Sequence, residues 1–163
     1  MTRMVDKSSP KGSGAPALDD VSKSIIEQLQ QDGRRSYASI GKAVGLSEAA
    51  VRQRVQRLND AGIMQIVAVT DPLQLGFGRQ AMVGIHVDGA IQPVADALTA
   101  MEEVIYVVMT AGTYDVLCEV VSTDDGELLE LVSGRMRAIP GVRTTETFMY
   151  LKLAKQTYSW GVR

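Results

Sequence analysis

The sequence predicts an α+β protein of two modules, an N-terminal winged-type helix-turn-helix joined by a hinge strand to a C-terminal βαββαβ domain of ferredoxin-like arrangement. Three observations predict it. Residues 36–62, SYASIGKAVGLSEAAVRQRVQRLNDAG, contain two short helical patterns joined by a tight turn. Charge is segregated: Gly33 to Leu58 carries six basic residues and one acid (net +5), and Asp71 to Arg163 seven basic and twelve acidic residues (net −5), within a 163-residue chain of net −2. Beyond residue 78, strand and helix patterns alternate in the order βαββαβ, which gives a four-stranded antiparallel sheet with both helices on one face.

The length suits one domain or two small ones, and 45% hydrophobic residues suffice for a packed core. The first 16 residues, rich in Ser, Gly, Pro and Lys, are expected to form a disordered tail. The helix-turn-helix domain is expected over 17–64, the hinge strand and linker over 65–78, and the ferredoxin-like domain over 79–163. No stretch is long and apolar enough to span a bilayer, and the N-terminus has no apolar run of a secretory signal, so a cytoplasmic protein that avoids membranes is expected.

Leu18, Val21, Ile25, Ile26 and Leu29 keep helical spacing, and Asp19 and Asp20 lie near the N-terminus of that helix, where its dipole favours negative charge. Ser36 and Ser47 are natural N-caps, since a side-chain oxygen there accepts from an unpaired N–H of the first turn. Gly45 suits the turn between the two helices and Gly62 the C′ position of the second. Gly41, inside a helix, is expected to cost roughly 0.5–1 kcal/mol relative to Ala.

In the second of these helices Val51, Val55 and Leu58 make the buried stripe, so Ala49, Arg52, Gln53, Gln56 and Arg57 point outward. Arg pairs bidentately with guanine and Gln with adenine in the major groove, and a small residue permits close approach. The DNA-facing set is expected to be Arg35, Ser36, Ser47, Glu48, Ala49, Arg52, Gln53, Gln56 and Arg57. An Arg/Gln-rich helix face is equally an ordinary solvated surface; the local positive charge, which attracts phosphates, favours the DNA reading. Arg54 flanks the apolar stripe, where an ion pair within the domain competes with a phosphate contact.

Ile63 to Thr70 is β-branched and apolar and reads as the hinge strand, after which Asp71-Pro72, Gly76 and Gly78 mark a loop. Strands are then expected at 79–87, 104–110, 114–122 and 142–153, and helices at 91–101 and 124–138. The last strand turns apolar at Phe148, Met149 and Leu151, so the sheet face without helices is expected to bury partly against another chain. Cys118, the only cysteine, lies in an apolar strand pattern and reads as a packed, inert thiol. No paired carboxylates, nucleophile with a base or metal cluster stands out, so no catalytic residue, metal or cofactor is expected.

The stretches LDDVSKSIIEQLQQDGRRSYASIGKAVGLSEAAVRQRVQRLNDAGIM, TAGTYDVLCEV and IPGVRTTETFMYLKL resemble the Lrp/AsnC family of transcriptional regulators over most of the chain from Leu18 to Leu153. The first is the more specific, because it joins the LD, QxDGR, GLS and RVxRL segments in register. Where the family often has a leucine-alanine pair, this chain has Ile40-Gly41.

The resemblance implies a RAM/ACT-like second domain that forms dimers and in some members octamers, promoter DNA as partner, and a small effector, commonly an amino acid. It places the effector between dimers at the loop joining the third and fourth strands, counting the hinge strand: here Thr110, Ala111, Gly112, Thr113, Tyr114 and Asp115, with Thr145 and Thr147 as weaker candidates. Physically, Gly112 lets backbone N–H groups face a carboxylate, and Asp115 can pair with an α-ammonium. A plain hairpin turn uses the same residues.

Two other readings remain at this point. Sirohaem decarboxylases share the architecture and work with histidines, but the single histidine, His86, lies in an alternating strand and reads as structural. A non-specific architectural DNA-binding protein would show steep salt dependence without sequence preference.

Overall fold

A computed structural model describes residues 18–158 with Gly161 and Val162; the tail expected over 1–16 lies outside the described residues. The described chain forms two compact units, one built on three N-terminal helices and one spanning Val69–Ala154.

The helical unit comprises α1 (Asp20–Gln31), α2 (Tyr37–Val44) and α3 (Glu48–Asp60). All three starts are capped by side chains: Asp19 accepts from Ser22 N–H at 2.8 Å, Ser36 from Ser39 N–H at 3.2 Å and Ser47 from Ala50 N–H at 3.2 Å. Gly45 ends α2 at φ +73° and Gly62 follows α3 at φ +67°. Ile25, Leu29, Ile40, Val51 and Val55 form the core. The other oxygen of Asp19 receives Arg54 Nη1 at 2.6 Å, which ties α3 to the start of α1. Hydrogen bonds from Ser22 and Arg54 hold the Asp19 carboxyl down at about 2.

Gly41 reverses its sequence-based expectation. A Cβ there would lie 2.5 Å from the backbone oxygen of Leu46, because the chain leaving α2 folds back against the helix. Glycine is therefore required at this position rather than merely tolerated, because packing outweighs its lower helix propensity.

Within the single chain the segment expected to be the hinge strand has no ladder. Residues 64–71 pair with no strand of the described chain and are followed by a 3-10 turn at Pro72–Leu75 whose first turn is capped by Asp71. β-branched composition predicts an extended backbone, but a strand also needs a partner ladder. Ile66, Val67 and Val69 remain exposed.

The second unit carries β1 (Arg79–Val87), α4 (Ile91–Thr99), β2 (Val104–Met109), β3 (Val116–Ser122), α5 (Asp125–Leu129) and β4 (Val142–Met149). The strands form one antiparallel sheet in the order β2-β3-β1-β4. Ala81, Val83, Ile85, Val116, Cys118 and Val120 pack with Val94, Leu98, Leu128, Leu131 and Met136 of the helical layer. Burial pushes the Cys118 thiol up to about 12, as suits an inert core residue.

The single α-helix expected over 124–138 is instead α5 continuing into a π-helical stretch, Glu130–Met136. With i→i+5 bonding, residues five apart stack, so Leu131 and Met136 enter the core together with Val132. The last strand ends at Met149 rather than 153, and Leu151 beyond it is 97% exposed.

Candidate nucleic-acid interface and effector loop

Register fixes which side chains share the helix-free sheet face. Met82 pairs with Glu119 and Phe148, Gly84 with Leu117 and Glu146, and Tyr106 with Glu119, so these side chains project to one side. Tyr106 and Phe148 leave about half of their surface exposed there. Met149, by contrast, pairs with Ala81 and belongs to the opposite face.

On α3, Val51, Val55 and Leu58 are buried, while Glu48, Ala49, Arg52, Gln53, Gln56 and Arg57 are exposed, as are the caps Ser36 and Ser47. The helical spacing thus separates the faces as expected. Arg35 is half-buried and donates to Gln28 at 2.6 Å, which anchors it to α1. Arg54 forms the internal ion pair with Asp19, the alternative that its place beside the apolar stripe raised.

The exposed side chains of α3 differ in their freedom. Arg52 donates to Glu48 at 2.8 Å and lies over the Tyr37 ring, 5.3 Å from its centroid. Gln56 donates to Asp60 at 2.8 Å. Gln53 and Arg57 make no side-chain hydrogen bond, ion pair or ring contact among the described residues. Tyr37 was missed from sequence because its position at the start of α2 says nothing about a neighbour on α3.

Thr110 to Asp115 connect β2 and β3, the same loop the resemblance selects, now counted without a hinge strand. The loop is closed by its own backbone and side chains: Thr110 N–H donates to Asp115 O at 2.9 Å, and the Thr110 hydroxyl donates to Tyr114 O. The β1–β3 ladder ends at the Ile85–Val116 pair, and Asp115 extends it. Its N–H donates to Ile85 O at 3.0 Å, and its carboxylate accepts from Val87 N–H at 2.8 Å. The acid thus replaces a strand partner at the end of β1.

Tyr114 occupies the helix-free face, with its ring flat against Gly84. A Cβ at Gly84 would approach that ring to 2.7 Å, so the glycine makes the seat. His86 packs on the ring at 5.1 Å and Phe148 meets it edge-on at 5.9 Å. The Tyr114 hydroxyl donates to Glu146, a bond that raises the Tyr114 pKa. His86 is therefore part of an aromatic cluster. Ala111, Gly112 and Thr113 form the exposed tip; Gly112 has no left-handed φ, and a Cβ there would meet nothing.

Thr145 and Thr147 do not join this loop. They pair with Ile85 and Val83 and share the helix-side register, and β1 separates their strand from β3. Sequence order made β4 look adjacent, whereas the split topology inserts β1 between them.

The chain matches two family descriptions: an AsnC-type helix-turn-helix domain over residues 18–59, and the C-terminal dimeric alpha+beta barrel domain of AsnC-type regulators over residues 78–163. It is 35% identical over 142 residues to the HTH-type transcriptional regulator FL11 of Pyrococcus furiosus, covering 86% of this chain and 93% of that protein. Its fold is similar to that of the leucine response regulatory protein LrpA of Mycobacterium tuberculosis (28% identity, TM-score 0.80, 89% of this chain and 100% of that one). It is also similar to a Neisseria meningitidis transcriptional regulator in complex with L-Met (25% identity, TM-score 0.75, 90% and 96%). These proteins are regulators rather than enzymes, which sets the tetrapyrrole reading aside.

Proposed function

The chain belongs to the Lrp/AsnC family of transcriptional regulators, and on that premise we propose that it binds promoter DNA in a sequence-specific way through the outward face of α3, under control of a small effector. The observation that carries the DNA assignment is that Ala49, Arg52, Gln53, Gln56 and Arg57 all face solvent on a capped helix within a segment of net charge +5. Positive charge supplies phosphate attraction, and arginine and amide side chains supply base contacts. Arg35, Ser36, Ser47 and Glu48 complete the DNA-facing set at the helix N-termini.

An amino acid is the proposed effector, supported by the L-Met complex of the Neisseria protein. The exposed tip Ala111–Thr113 is its proposed contact. Asp115 and Tyr114 shape that tip from beneath, and Thr145 and Thr147 have no part in it in a single chain. The helix-free sheet face, with Met82, Tyr106 and Phe148 presented together, is proposed to join two copies, in keeping with the dimeric domain the chain matches. A dimer presents two copies of α3 to half-sites about one helical turn apart, and larger assemblies such as octamers extend the same scheme. The functional boundaries are proposed at 17–64 for DNA binding and 79–163 for effector binding and assembly, in a cytoplasmic protein.

The test is to pass fragmented genomic DNA over the purified protein at near-physiological salt, with and without a mixture of amino acids, and to sequence what is retained. A few enriched promoters whose occupancy changes with the mixture are expected. Uniform retention would replace this reading with architectural binding, and absence of retention would overturn it.

A further inference from the structure

Resting on the DNA-reading assignment, we infer that Tyr37 and Glu48 are positioning residues that hold Arg52 as a pre-set reader of one G·C base pair. Two helices contribute. Tyr37 opens α2 directly after the Ser36 cap, and its half-buried ring packs against the helical core, so its outer face is a fixed platform. The Arg52 guanidinium lies over that ring at 5.3 Å, and its Nη2 donates to Glu48 Oε1 at 2.8 Å, one turn earlier on α3.

Neither contact is a strong stabiliser of the fold. The Arg52–Glu48 pair is exposed, with 65% and 53% of the two side chains open to solvent, and such pairs are worth little in water. Their consequence is geometric. A free arginine that meets the wrong base swings to a phosphate and recovers its hydrogen bonds; an arginine stacked on a ring and tethered to a carboxylate gives up both contacts to do so, which makes the mismatch more costly. Gln53 and Arg57, lacking such contacts, are left to adapt. Base discrimination therefore concentrates on Arg52 and depends on a ring in a different helix. Glu48 also places a negative charge on a phosphate-facing surface, lowering affinity for DNA of every sequence.

The experiment selects a preferred site from randomised duplexes with the full-length wild-type protein. Affinities are then measured on that site and on versions changed one base pair at a time. The wild type is expected to lose about 10-fold in affinity when one G·C pair is replaced. Arg52→Ala should erase discrimination at that pair alone. Tyr37→Phe, which keeps the ring, should retain it, whereas Tyr37→Leu should lose it at the same pair.

Glu48→Gln should discriminate less at that pair while binding all sequences more tightly, a combination that loss of folding does not produce. Because Glu48 is exposed, this variant decides the matter if Tyr37→Leu fails to fold. Wild-type discrimination in both Tyr37→Leu and Glu48→Gln, or in Arg52→Ala, would overturn the positioning role and leave the DNA reading standing. A wild type that selects no sequence would overturn both.

Discussion

The outer face of α3 and the β2–β3 loop carry polar residues of the same chemical kinds, yet the fold uses them differently. On α3 the backbone hydrogen bonds are satisfied within the helix, so its outward side chains remain available or hold one another, as Arg52 and Glu48 do. In the loop the polar groups are consumed by closing the sheet: Thr110 bonds to Tyr114 and Asp115, and Asp115 caps the end of β1. A helix face can advertise its ligand chemistry in sequence. A turn residue with the same chemistry has first to satisfy the backbone around it.

Substitutions probe this contrast, and the greatest loss is expected where backbone meets backbone. Gly41→Ala should destabilise the protein by about 3 kcal/mol in urea unfolding, because the added methyl meets the Leu46 carbonyl oxygen; an unchanged midpoint would mean that α2 and the following turn shift apart at no cost. Asp115→Ala should cost about 2 kcal/mol, since the Val87 N–H loses its partner. If Asp115 serves only a ligand, stability will not change. Ser47→Ala should cost about 1 kcal/mol through loss of the α3 cap.

Two effects should be smaller. Gly112→Ala should alter stability by less than about 0.5 kcal/mol, as the methyl points into open space, so any change it causes in effector response belongs to the ligand. Acid titration addresses Asp19, whose carboxyl sits at about 2 in the folded chain against an ordinary 3.8. A depressed carboxylate contributes stability that is present above the ordinary value and lost as pH falls through the folded one. Asp19→Asn should therefore flatten the acid side of the helical signal between about pH 4 and 2, a window set by the two values just given. The same slope in wild type and variant would remove Asp19 from acid stability.

Local and alternating signals were legible in the sequence: the Ser36 and Ser47 caps, the Val51–Val55–Leu58 stripe, and the succession of strands and helices along the second unit. They depend on neighbours a few residues away or on a period of two. What depends on distant approach was not legible. The need for glycine at Gly41 arises from Leu46 folding back, and the seat at Gly84 from Tyr114 thirty residues later. The capping role of Asp115 requires knowing where β1 ends, and the contact of the Tyr37 ring with Arg52 requires knowing which face α3 turns to α2. The hinge ladder is absent from the single chain for a related reason: β-branched residues favour extension, but pairing requires a second strand.

The division of labour between α3 and the loop tip is tested most directly by measuring the DNA affinity of the full chain against rising amino-acid concentration, for wild type and Gly112→Val. A bulky side chain at this open position leaves the fold and the recognition helix in place while obstructing the tip. This division predicts that at least one amino acid shifts wild-type affinity, and that Gly112→Val binds DNA equally well without amino acid and does not respond to it. A variant that responds like the wild type, or a wild type indifferent to every amino acid, would contradict it.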